Sequence, residues 1–234
     1  MSGVSQSTKP SEEASARKVS RRWPLISAIV TVVLAAALGA TIAVRGGNLP
    51  LETDTEWLEE IAESRSIVFD VPALFMDWLG GGLVGALIVP LATVAVLCLF
   101  RRFWAALYYA IAAALSAGIV QLLKAVFDRP RPEDMMVLSD AGSFPSGHVA
   151  NAATIAVTLG IIFSKPWVWI AGVRYTILML LSRTYLCVHW FSDTIGGLLI
   201  GAGVAISVWA PFALRLQRER ETARNHVPRT GATR

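Results

Sequence analysis

The 234-residue chain is 54% hydrophobic and only 16% charged, which excludes an ordinary soluble domain and points to a membrane protein. Its net charge of +4 is gathered in the two ends and in short turns between apolar runs, so it reads as topology and lipid headgroup contact rather than as nucleic-acid binding. Cys98 and Cys187 fall in or beside different apolar runs and imply no disulfide framework.

Residues 1–22 are polar and Ser-rich, with five basic side chains against Glu12 and Glu13, and are expected to be a disordered cytoplasmic tail. The first apolar run, Trp23 to Val44, is longer than a signal core and holds Leu38-Gly39-Ala40 inside it. An uncleaved membrane helix is expected there. Residues 46–77 read as an acidic extracytoplasmic loop, with Glu52, Asp54, Glu56, Glu59, Glu60, Glu63 and Asp70 against Arg65 alone. Within it Trp57, Leu58, Ile61 and Ala62 share one helical face. That pattern fits a short interfacial helix or, equally, a solvated helix with no part in chemistry.

Two further spans, Trp78 to Phe100 and Phe103 to Leu123, are joined by the basic turn Arg101-Arg102. A fourth, His148 to Ser164, is bounded by Pro145 and Pro166; Lys165 separates it from a fifth, Trp167 to Val188. The sixth, Thr194 to Leu214, contains Gly197-x-x-x-Gly201, a spacing that serves bundle packing first and dimerisation second. Residues 215–234 carry six arginines against Glu219 and Glu221 and read as a second polar cytoplasmic tail. The expected fold is all-α: one polytopic domain over residues 23–214 with six transmembrane helices and both termini cytoplasmic. The connections at 124–147 and 183–193 then share the outer face.

Three polar strings interrupt the apolar chain on that face. Charge is costly near a bilayer and tends to be kept there for function. Lys124 to Pro132 ends the third span with a helix-breaking Asp128-Arg129-Pro130-Arg131-Pro132. Basic residues are disfavoured on an outer face, and a bound phosphate would account for Lys124 and Arg131; Arg129 reads equally as a snorkelling anchor. Pro145-Ser146-Gly147-His148 opens the fourth span. Its backbone N–H groups, the Ser146 hydroxyl and the small Gly147 suit an anion, and His148 suits proton donation to a leaving oxygen. An N-capped helix with an interfacial histidine is the plainer alternative. In the third string, His189 and Asp193 are four apart and would share a helical face. The acid would then orient a nucleophilic imidazole, with the fork of Arg183 nearby for phosphate oxygens. An Arg183–Asp193 salt bridge beside a packing histidine is the alternative.

Taken together, Lys124-x6-Arg131-Pro132, Pro145-Ser146-Gly147-His148 and Ser182-Arg183-x5-His189-x3-Asp193 resemble the three-part signature of the type 2 phosphatidic acid phosphatase superfamily. That family spans lipid phosphate phosphatases, prenyl diphosphate phosphatases, class A acid phosphatases and vanadium haloperoxidases. The resemblance covers residues 124–193 by motif and the rest by six-helix architecture only. It implies that His189 attacks phosphorus to form a phosphohistidine, that Asp193 orients it, and that His148 protonates the leaving group and then activates water. Lys124, Arg131, Ser146, Gly147 and Arg183 would hold the phosphoryl oxygens, with no metal and no other cofactor. Cys187 and Phe191 stand where relatives often carry glycine and proline, which leaves the local turn shape and substrate preference open.

The expected activity is that of an integral lipid phosphatase in the plasma membrane, its site on the extracytoplasmic side. Its partners are a lipid phosphate or diphosphate and the bilayer, not nucleic acid. An undecaprenyl diphosphate-type carrier is the first substrate and phosphatidylglycerophosphate or phosphatidate the second. A vanadium haloperoxidase-like enzyme and a non-catalytic transporter or scaffold are the alternatives of other classes. The lipid tail and the oligomeric state are not legible.

Overall fold

The computed structural model describes residue 26 and residues 29–44, 48–139 and 142–225. The tail expected at 1–22 lies outside these. Among the described residues every regular element is helical: α1 (Ile29–Val44), α2 (Glu52–Glu63), α3 (Ile67–Gly80), a π-helical turn (Val84–Ile88), α4 (Val89–Leu99), α5 (Phe103–Phe127), α6 (Gly147–Phe163), α7 (Pro166–Tyr185) and α8 (Phe191–Asn225). Helices α5 and α8 are each long and apolar enough to cross a bilayer. Helices α3 and α4 form a third such unit bent by 49°, while α1 and α6 are shorter apolar helices. The result is a multi-pass helical membrane protein.

Two boundaries differ from the sequence reading. The second span begins at Ile67 rather than Trp78, and it breaks at Gly81 and Gly82 before the π turn. Gly82 sits at φ +51, a left-handed conformation that glycine adopts without strain. Asp70 and Asp77 make this stretch read as loop, but both acids have partners inside the bundle. Tyr185 Oη donates to Asp70 Oδ1 at 2.6 Å, and Arg183 pairs with Asp77. The polar C-terminal tail also departs from expectation, because α8 continues to Asn225. Its polar extension is held by contacts: Trp104 N and Ala105 N, at the orphan N–H end of α5, donate to Glu219 at 2.9 and 3.1 Å. Gln217 donates to Glu221 one turn on at 3.1 Å.

The core is centred on α6, which packs against α5, α7 and α8. Small residues allow this close approach: Ala105, Ala112, Ala150, Ala152 and Ala153 are all buried. A Cβ at Gly197 would overlap the Ser146 carbonyl oxygen, and one at Gly201 would overlap that of Ala150. The Gly-x-x-x-Gly spacing therefore serves α6–α8 packing within the chain. Two hydroxyl bonds tie helices together inside the bundle, Tyr108 Oη to Ala205 O at 2.9 Å and Thr154 Oγ1 to Ser116 Oγ at 3.0 Å. Such bonds contribute about 0.6 kcal/mol each in a bilayer. Outward-facing Phe75, Leu115, Ile170 and Ile177 are exposed, as lipid-facing positions require.

Candidate active site

Four helix ends meet at one end of the bundle. Lys124 lies in the last turn of α5, which stops at Asp128 in a left-handed conformation (φ +38) ahead of Pro130 and Pro132. Ser146 is the residue before α6, so Gly147 and His148 form its first turn, where backbone N–H groups lack intrahelical acceptors. Arg183 lies in the last turn of α7. Helix α8 starts only at Phe191, with Asp193 in its first turn. His189 is therefore in the connection before α8 and does not share a helical face with Asp193, contrary to the sequence reading. A turn with Cys187 at φ +52 folds the imidazole back onto the carboxylate instead.

The result is still a close pair. His189 Nδ1 lies 3.6 Å from Asp193 Oδ2, an ion-pair distance longer than a hydrogen bond. Asp193 Oδ2 accepts from Trp190 N at 2.9 Å and Oδ1 accepts from Arg129 Nη1 at 2.6 Å, so the carboxylate is clamped from two sides. On the other edge of the ring, Nε2 lies 3.4 Å from Arg131 Nη1. Arg131 also donates to Val188 O, and to Gly142 O at 3.1 Å; Lys124 Nζ donates to the same Gly142 oxygen at 2.8 Å. Burial, reinforced by Arg131, Arg183 and Lys124, holds the proton affinity of His189 well below the ordinary imidazole value of 6.5. The neutral, nucleophilic ring is favoured.

Across the cavity, His148 Nε2 is 3.3 Å from Asp77 O and 3.5 Å from Asp77 Oδ1, and Arg183 Nη1 donates to that same Oδ1. Lys124, Gly147, His148, Arg183 and His189 line one cavity of about 1030 Å³. Arg131 reaches it through its contact with His189, whereas Ser146 and Asp193 are fully buried behind the wall. Ser146 N donates to Asp193 O at 2.9 Å, tying the start of α6 to that of α8. The anticipated residues thus lie together, but Arg183 pairs with Asp77 and Asp193 with Arg129, in place of the Arg183–Asp193 bridge.

Three site-supporting residues escaped the sequence reading. In the sequence Asp77 falls at the end of the acidic loop, Arg129 reads equally as anchor and as site, and Asp54 is one acid among seven. The available signal for Asp77 was an acid at the head of an apolar run, which needs a buried partner. Away from the polar end, the cavity wall is apolar and formed by Leu83, Val84, Leu91, Val94, Ala113 and Ala117. A cationic pole with two imidazoles, continuous with an apolar trough, can hold a phosphoryl group whose substituent is a hydrocarbon.

Residues 105–216, which contain all three polar strings, match the PAP2 superfamily. The match covers just under half of the chain. Over 76 residues (32% of this chain and 33% of the other) it is 40% identical to an undecaprenyl-diphosphatase of Sulfolobus acidocaldarius. Over 112 residues (44% and 55%) it is 28% identical to phosphatidylglycerophosphatase B of Bacillus subtilis. The chain thus spans about a third and about half of the length of these curated relatives. The crystal structure of a transmembrane PAP2-type phosphatidylglycerolphosphate phosphatase from Bacillus subtilis superposes with a TM-score of 0.66. It covers 88% of this chain and 99% of that one at 22% identity, a likeness of fold that extends beyond the PAP2 segment into the helices before it.

Proposed function

We propose that the protein is an integral membrane lipid phosphatase that works through a phosphohistidine without a metal. The observation that carries this reading is the single cavity in which Lys124, His148, Arg183 and His189 meet an apolar trough. Lys124, Arg131 and Arg183, with the backbone at Gly147, hold the phosphoryl oxygens and neutralise charge in the transition state; Ser146, buried behind the wall, instead ties α6 to α8 through its backbone N–H. His189 Nε2 attacks phosphorus while Asp193 holds the ring. As the N–P bond forms, the P–O bond to the leaving group breaks, and His148 delivers a proton to that oxygen. His148 then takes a proton from water, whose oxygen attacks phosphorus, breaks the N–P bond and releases phosphate with His189 restored.

For the substrate, a prenyl diphosphate of the undecaprenyl type is the first reading and phosphatidylglycerophosphate or phosphatidate the second. The names of the relatives favour these classes, and the apolar trough suits either tail. Six spans, cytoplasmic termini and an extracytoplasmic site in the plasma membrane complete the proposal. In its support, the basic turns gather at the end of the bundle opposite the site: Arg102 Nη2 donates to Ile162 O at 3.2 Å, and Arg220 bonds Ser164. The test is phosphate release by the purified protein from undecaprenyl diphosphate, phosphatidate and phosphatidylglycerophosphate, with His189→Ala as control. Release that survives in His189→Ala, or that EDTA abolishes and a divalent ion restores, overturns the mechanism.

A further inference from the structure

Helix α2 lies outside the bundle core, yet one of its acids reaches the centre of the site. Asp54 is completely buried. Its Oδ2 accepts from Arg129 Nη2 at 2.7 Å and from Ser192 Oγ at 2.8 Å, and its Oδ1 accepts from Ser192 N at 2.8 Å. Arg129 in turn bonds Asp193 Oδ1 at 2.6 Å and Ser192 Oγ at 2.8 Å, and its guanidinium lies over the Trp190 ring. Trp57, one turn along α2, packs against Phe191 with ring centroids 4.9 Å apart. Asp54, Arg129 and Asp193 thus form a sealed carboxylate–guanidinium–carboxylate row whose last member sits beside the His189 ring.

We infer that Asp54 is a positioning residue for the nucleophile, acting through Arg129 and Asp193. The reason is charge. Arg129 alone would cancel Asp193 and leave nothing to balance the positive charge that grows on the imidazole as Nε2 bonds to phosphorus. With Asp54 added, the row carries one net negative charge, and it does so where little solvent screens it. Sharing Arg129 between two carboxylates also leaves Asp193 Oδ2, the oxygen facing His189, free of the guanidinium. Helix α2 is therefore part of the nucleophile's support, and this inference rests on the reading of His189 as the attacking residue.

The decisive comparison uses the full-length protein with farnesyl diphosphate and dioctanoyl phosphatidate as probes. Asp54→Asn, which keeps shape and removes charge, is expected to lower kcat about tenfold or more with KM little changed. The groups facing His189 are Lys124 on α5, Arg131 after it, His148 on α6, Arg183 on α7, Asp193 on α8 and, across the cavity, Asp77 on α3. Removing a negative charge behind Asp193 therefore lowers the proton affinity of His189, and the acid limb of kcat/KM moves to lower pH. The double variant Asp54→Asn/Arg129→Gln restores one net negative charge in the row. It is expected to regain most of the lost kcat and return the acid limb to its original position.

A folded Asp54→Asn protein with unchanged kcat overturns the proposal. So does a kcat loss with an unmoved acid limb that the double variant deepens, which is what a merely structural acid would give. If Asp54→Asn does not fold, the double variant compared with the unaltered protein decides alone; its failure to fold as well would assign the row to stability and overturn the inference. His189→Ala separates the two readings. Phosphate release surviving there refutes the nucleophile assignment, whereas a dead His189→Ala beside a fully active Asp54→Asn refutes only the inference.

Discussion

The site contains two arginine–carboxylate assemblies that look alike in composition and differ in setting. On the α2 side, Arg129 lies between Asp54 and Asp193 with all three side chains at 0% exposure. On the α3 side, Arg183 pairs with Asp77, whose side chain is 29% exposed at the cavity wall beside His148. A sealed assembly can set a field and a ring orientation without being disturbed by substrate. An open one can exchange its partner for a phosphoryl oxygen. The difference teaches that similar ion pairs serve holding and binding according to whether solvent reaches them.

Removing the arginines should separate the two most sharply. Arg129→Ala leaves two buried carboxylates uncompensated and is expected to cost about 3–5 kcal/mol of stability, visible as a lowered thermal midpoint in detergent. Arg183→Ala also empties a buried side-chain position but leaves a carboxylate that water can reach, so its midpoint should fall by less. Its kcat/KM should fall on the order of a hundredfold to a thousandfold through loss of phosphate contact. Equal midpoints for the two variants would erase the distinction. A methyl group at Gly81 would overlap His148 Nε2; Gly81→Ala is therefore expected to cost about a hundredfold in kcat by displacing the ring, with α2-side properties unchanged. Asp77→Asn should be milder, about tenfold in kcat, because it loosens Arg183 and His148 without emptying the cavity.

The smallest effect is one of pH. His189 has a depressed proton affinity, so its neutral form persists as pH falls through 6.5, and the acid limb of kcat/KM should lie below that value. The sign for stability is opposite: the unfolded chain takes up the proton first, so the depressed affinity makes stability decline as pH drops below about 6.5. An acid limb above 6.5 would remove His189 as the group that must be neutral.

Much of the polar end was legible in the chain, because Lys124, Arg131, Ser146, Gly147, His148, Arg183, His189 and Asp193 sit in short strings where local spacing carries meaning. The apolar runs likewise dictated helices, since a bilayer leaves the backbone few other ways to satisfy its hydrogen bonds. The partners of those residues were not legible. Asp54 and Arg129 are 75 positions apart, and Asp77 and Arg183 are 106 apart. A contact at that separation leaves no periodic trace, and an acid before an apolar run looks like loop until its counter-ion is seen. Even the agreement over His189 and Asp193 had a different cause: a left-handed turn at Cys187 brings them together, not a shared helix face. The sequence by itself determined the helical class and the chemical types gathered at one end. Tertiary packing alone decided which charges are sealed and which are open, because burial and charge pairing are properties of facing surfaces and not of neighbours in the chain.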